Sequence, residues 1–144
     1  MDTVATLYIE VLLGLAADEL WAEITSVGGT CGLIDHPIEC SANGDARTCT
    51  TVDGTRFVEN ILGVDKVHRR IGFSGYMLGG SAFPSEFHAA SMEVLDTGPG
   101  RSTLRWITDI KPDAALDSLK AFIDIEVASL EARHPLPGSG QRSA

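Results

Sequence analysis

Apolar and polar positions change period twice along the first quarter of the chain. From Thr3 to Leu13 they alternate around Val4, Leu7, Ile9, Val11 and Leu13, with frequent β-branched types, which predicts a half-buried strand. From Ala17 to Val27 the period becomes helical. Leu20, Trp21, Ile24 and Val27 share one face, Asp18 and Glu19 occupy the first turn, and Gly28-Gly29 follows the end. Gly29 to Pro37 has room for a second helical turn. Strand patterns then return at Pro37 to Ala42 and Arg47 to Val52, around a turn centred on Asn43-Gly44. Four more strands are expected at Arg56 to Leu62, Val67 to Met77, Ser85 to Leu95 and Ser102 to Lys111, separated by Gly63-Val64-Asp65, Gly79-Gly80 and Gly98-Pro99-Gly100. Pro112 and Asp113 open a long helix whose apolar stripe is Leu116, Leu119, Phe122, Ile123, Val127 and Leu130, ending near His134-Pro135.

The order is one strand, two helical segments, six strands and a long helix: an α+β chain with a curved antiparallel seven-stranded sheet around its C-terminal helix. A sheet of that length must curl to bury one face, and the helix is its natural filler. One helix leaves space in so wide a half-barrel, so a cavity for an apolar ligand is expected. The expected organisation is one domain over residues 1–134 and a disordered tail over 135–144.

Composition narrows the partners. With 144 residues and 44% hydrophobic content, one core is affordable and two ordinary domains are not. A formal net charge of −9 opposes phosphate backbones, so nucleic acid is not expected. The N-terminus has no basic region ahead of an apolar core, and no apolar run approaches bilayer length. A cytoplasmic protein with no membrane partner is the expectation; a homodimer is left open.

The three cysteines, Cys31, Cys40 and Cys49, are an odd number and are expected to be reduced. A hairpin centred on Asn43-Gly44 pairs Cys40 with Arg47 and Cys49 with Ile38, not with each other. No zinc spacing is present, and no Gly-x-Gly-x-x-Gly or phosphate-loop motif, so neither metal nor cofactor is expected.

Several stretches carry a family likeness over roughly residues 4 to 132. These are Ala17-Asp18-Glu19-Leu20-Trp21, His36-Pro37 followed by Cys40, and Trp106 followed six residues later by Pro112. Together with the element order they resemble the helix-grip fold of the START/polyketide cyclase-dehydrase (SRPBCC) superfamily. Glu59 to Asp65 followed by Arg69-Arg70-Ile71-Gly72-Phe73-Ser74 is also similar to the abscisic-acid receptors and their bacterial relatives. That resemblance implies a ligand-facing Glu59, a gate at Val52 to Thr55 and a latch at Gly80 to Ser85. The chain lacks the gate's Ser-Gly-Leu-Pro and the latch's His-Arg-Leu, so what is implied is a shared pocket rather than a hormone receptor.

Three ionisable side chains are the candidate chemistry. Glu126 lies four residues after Phe122 and four before Leu130, within the stripe that should face the sheet. Buried, its carboxyl would hold its proton and serve as a general acid or base; if the helix rolls, it is left in water at the margin. In Ser85 to Leu95 the face His88, Ala90, Met92, Val94 suits an interior better than Ala89, Ser91, Glu93, which turns His88 inward. A histidine there either moves a proton or is satisfied by a backbone carbonyl. Glu59 alternates with Phe57 and Ile61. Its parity is ambiguous because Val58 and Leu62 are also apolar, and the family likeness turns it inward.

The expected ligand-binding wall is Phe57, Phe73, Tyr76, Phe83, Ala90, Met92, Trp106 and Phe122. His36 beside Asp35 is read as capping, and His68 and His134 as superficial. One of Arg69 and Arg70 should pair with a nearby acid. The function these residues suggest is a cofactor-free cyclase or aromatase-dehydratase acting on an apolar, natural-product-like molecule. The alternative is a carrier or sensor in which the same residues only orient a ligand.

Overall fold

The structure is a computed structural model, and it describes residues 3–25, 38–44, 46–51, 56–79 and 87–138. The strands are β1 (Ala5–Leu13), β2 (Ile38–Asn43), β3 (Ala46–Thr51), β4 (Arg56–Asp65), β5 (Arg70–Gly79), β6 (Phe87–Gly98) and β7 (Arg101–Lys111). Helix α1 spans Ala17–Ile24, and a 3-10 turn at Asp113–Ala115 leads into α2, Leu116–Arg133. The sheet is antiparallel in the order β1-β7-β6-β5-β4-β3-β2, so the first strand closes on the last and the rest form a meander. The fold is α+β, with α2 contributing to the core on one face of the sheet.

Strand periodicity sets which side chains meet that helix. Ala5, Leu7, Ile9, Val11 and Leu13 turn inward on β1, while Tyr8 and Leu12 are exposed on the other face. On β7 the inward set is Leu104, Trp106, Thr108 and Ile110, and on β6 it is Ala90, Met92 and Val94. These residues join Leu119, Ile123 and Leu130 of α2 and Leu20 and Ile24 of α1 in one core. The outer face carries ion pairs instead. Arg105 reaches Glu93 at 3.1 Å and Glu10 at 3.5 Å, and Thr6 donates to Asp109 at 2.6 Å.

Three local expectations are corrected. The β4–β5 turn lies at 66–69 rather than at Gly63-Val64-Asp65: β4 runs on to Asp65 across an irregularity between Ile61 and Gly63. Asp65 makes the later turn, accepting hydrogen bonds from the backbone N–H groups of Val67 and His68. Arg69 closes it with φ of +50° and pairs with Asp18 at 2.9 Å, joining the turn to α1.

The β2–β3 hairpin also shifts by one residue. Asn43 pairs with Ala46, which puts Gly44 first in the connection between the strands and sets Cys40 opposite Cys49. The twist-compatible two-residue turns need positive φ at their first position, and Gly44, at +64°, supplies it more readily than Asn43 would.

His134 is the third correction. It is half-buried, with Nε2 2.9 Å from Glu23 Oε1, because the end of α2 packs beside α1. His68 is exposed, 2.7 Å from Asp65. Just beyond, the His134 carbonyl accepts from the Gly14 N–H, and a Cβ at Gly14 would collide with the Pro135 carbonyl.

The second helical turn expected in Gly29–Pro37, the His36-Asp35 pair, Val27, the gate and latch segments and the last six residues lie outside the described residues. No helix among the described residues is long and apolar enough to cross a membrane.

Candidate functional site

The buried positions of α2 are Leu119, Ile123, Glu126, Ser129 and Leu130, spaced as one helical face. Glu126 is 3% exposed, so the helix seats it inside rather than at a wet margin. The apolar residue exchanged for it is Ile125, which is exposed on the far side. Glu126 Oε2 is buried with no hydrogen-bond partner among the described residues. Burial first, and the nearby Glu59 charge second, push the Glu126 carboxyl well above the usual carboxylate range. It therefore holds its proton where an exposed glutamate would have lost it.

Glu59 enters from β4 and is 6% exposed. Its register partners are Arg47 on β3 and Gly75 on β5. Val58 is buried too, so parity could not have separated the two faces here.

Gly75 lies on β5, between β4 and β6 in the sheet. A Cβ on it would stand 3.2 Å from the Val58 carbonyl oxygen and 3.3 Å from His88 Nδ1. A side chain at that position would press on both strands.

His88 follows the inward parity of β6 and stands next to Thr108 of β7, with Nε2 2.9 Å from Thr108 Oγ1. Thr108 in turn donates to the Ala89 carbonyl at 3.4 Å. A hydroxyl has a single proton, so both contacts are met at once only if His88 donates through Nε2–H. Nδ1, the atom beside Gly75, is then the basic nitrogen. Burial lowers the His88 pKa to about 4, against an opposing pull from Asp109, so the ring is neutral at pH 7.

Around these groups the inward wall includes Phe73, Met92, Trp106 and Ala90, all buried, and Phe122, half-buried on α2. Trp106 Nε1 and Ser129 Oγ are further buried polar atoms without a partner among the described residues. Ser129 was not a sequence candidate, although its spacing of three residues from Glu126 could have suggested it. Nothing is described of the Phe57 and Tyr76 side chains, and Phe83 lies outside the described residues. No group of metal-ligating side chains occurs among the described residues.

A separate groove of about 550 Å³ lies on the opposite face of the sheet, lined by Leu62, Gly72, Ser91, Ile107 and Asp109 among others. It does not include Glu59, His88 or Glu126. The chemistry-bearing side chains instead share the helix-covered face.

No family model matches the chain, and no curated protein matches it. Solved structures do match in shape. An uncharacterized protein from Bacillus thuringiensis superposes with a TM-score of 0.73 at 14% identity, over 91% of this chain and 98% of that one. Norcoclaurine synthase from Thalictrum flavum, in complex with dopamine and hydroxybenzaldehyde, gives 0.60 at 18% identity over 88% and 86%. Ara h 8.0201 gives 0.66 at 17% identity over 91% and 97%. At these identities the likeness is one of fold: the chain shares with these proteins an antiparallel sheet packed on a long C-terminal helix.

Proposed function

We propose that the helix-covered face around Glu59, His88 and Glu126 takes up an apolar small molecule and acts on it by cofactor-free acid/base chemistry, as a cyclase or aromatase-dehydratase does. The observation that carries this reading is Glu126: a carboxyl 3% exposed on the helix face that joins the core, which burial and the Glu59 charge push well above the usual carboxylate range. Glu126 is the proton donor to a carbonyl or departing hydroxyl oxygen, and His88 Nδ1 is the acceptor of a proton from an activated carbon. Glu59 holds Glu126 in its protonated state. Phe73, Met92, Trp106 and Phe122 fold the chain and exclude water, and Phe57, Tyr76, Phe83 and Ala90 complete the proposed wall. That a norcoclaurine synthase has this fold supports the capacity of such a scaffold for chemistry, without naming the substrate here.

A carrier or sensor is the second reading, and one observation favours it. With a pKa of about 4, His88 is a weak base at neutral pH, and a neutral His88 and a neutral Glu126 can orient a ligand without moving protons. Native mass spectrometry of the purified chain should reveal a co-purifying small molecule. With that compound, Glu126→Gln and His88→Gln are each expected to retain binding and to lower turnover by about 10²–10⁴-fold. Unchanged compound with wild-type protein would leave the carrier reading standing, and no retained compound in any preparation would count against both.

A further inference from the structure

The one-residue shift of the β2–β3 hairpin has a chemical consequence. We propose that Cys40 and Cys49 are a redox pair that forms an intramolecular disulfide by exchange with a low-molecular-weight disulfide such as glutathione disulfide. The two are direct register partners on adjacent antiparallel strands. Counting from the closing pair Asn43–Ala46 of a two-residue loop, Cys40–Cys49 is the third pair on, and so falls at a non-hydrogen-bonded position of the ladder. Directly opposite residues at such positions have Cα atoms about 4.5 Å apart, inside the range of about 4.4–6.8 Å that a disulfide spans. Had the loop been Asn43-Gly44, Cys40 would have faced Arg47 and no crosslink could form without moving a strand.

The exchange balances without a cofactor. One thiolate of the pair attacks the glutathione disulfide, breaking its S–S bond, forming a mixed disulfide and releasing one glutathione thiolate. The second thiolate then attacks the protein sulfur of that mixed disulfide and expels the second glutathione. The two protons lost by the cysteines end on the two glutathione thiols, and glutathione disulfide is reduced as the pair is oxidised.

The place in the fold gives the bond a use. Among the described residues β2 is the edge strand of the sheet, paired with β3, and β3 pairs onward to β4 with Arg47 opposite Glu59 and Cys49 opposite Phe57. A crosslink would clamp this edge strand to β3, the neighbour of the strand that carries Glu59.

The test is to incubate the full-length chain with glutathione disulfide, quench with acid, and map peptides by mass spectrometry. The expected product has lost two hydrogens, links Cys40 to Cys49, and still forms when Cys31 is changed by Cys31→Ser. Cys40→Ser should instead stop at a stable glutathione adduct on Cys49. In strong urea the selectivity should be lost, with links to Cys31 appearing. Persistent glutathione adducts on Cys40 or Cys49 of the folded wild-type chain would overturn the proposal. So would a preferred link to Cys31, a disulfide between two chains, or no reaction of the folded protein.

Discussion

At the end of the helix-covered face beside α1, Leu13, Leu20, Ile24, Leu104 and Leu130 are fully buried, and the buried Ser102 hydroxyl there is satisfied by the Leu15 carbonyl. Toward the middle and the other end of the same face stand Glu59, His88, Thr108 and Glu126, and Glu126 Oε2 and Trp106 Nε1 are buried with no partner among the described residues. The first region is what hydrophobic burial produces when stability alone is at stake. The second spends some of that stability to keep ionisable groups out of water, a cost reduced because burial shifts both Glu126 and His88 toward their neutral forms. The difference separates an apolar part of the core from a part that carries buried ionisable groups.

The comparison can be broken most directly at the apolar end. Leu130→Ala is expected to cost about 2–5 kcal/mol, read from the urea unfolding midpoint, and to leave the pH dependence of stability unchanged. A smaller loss would mean that α2 is held chiefly by its polar half.

The next largest effect is a pH response at His88. Its pKa is about 4 in the fold and 6.5 when unperturbed, so between those values the unfolded chain binds the extra proton. The stability gained by keeping the ring neutral is fully present above pH 6.5 and lost as pH falls toward 4, by up to about 3 kcal/mol. Unfolding midpoints across that range should fall with acid in the wild type and less so in His88→Gln.

Glu126 pulls the other way. Its folded carboxyl keeps a proton that the unfolded one gives up, so its contribution is largest at low pH and declines as pH rises through the raised value. Glu126→Gln is therefore expected to raise stability at neutral pH and to flatten its decline above the ordinary carboxylate range. A destabilised variant with an unchanged slope would show that Glu126 is ionised and paired.

The finest test is Gly75→Ala. The added methyl would press on the Val58 carbonyl and on His88 Nδ1, costing about 1 kcal/mol and shifting the imidazole titration seen by NMR. An unaltered His88 titration would detach Gly75 from the site.

Much of this arrangement was legible in the chain. Alternation on β1, β6 and β7 pointed the correct residues inward, because a strand has a period of two and one solvated face enforces it. His88 and Trp106 follow from that rule. The 3.6-residue period put Glu126 within the stripe of α2, but the period tolerates a roll of the helix that would have left it wet; packing of α2 against β1 and the common core chose otherwise. Glu59 could not be placed by pattern, since Val58 and Glu59 are both buried near the irregular stretch of β4.

What the sequence determined by itself is whatever depends on neighbours along the chain: element type, strand faces, and the helix opened by Pro112 and Asp113. What only tertiary structure decided is whatever depends on distance across it. The burial of Glu126 needed the sheet to cover it, and the approach of His88 to Gly75 needed two strands brought together. The pairing of Cys40 with Cys49 hung on which residue of a short loop took a positive φ, a choice worth so little energy that the pattern of apolar residues could not register it, yet one that moves every cross-strand partner by two residues.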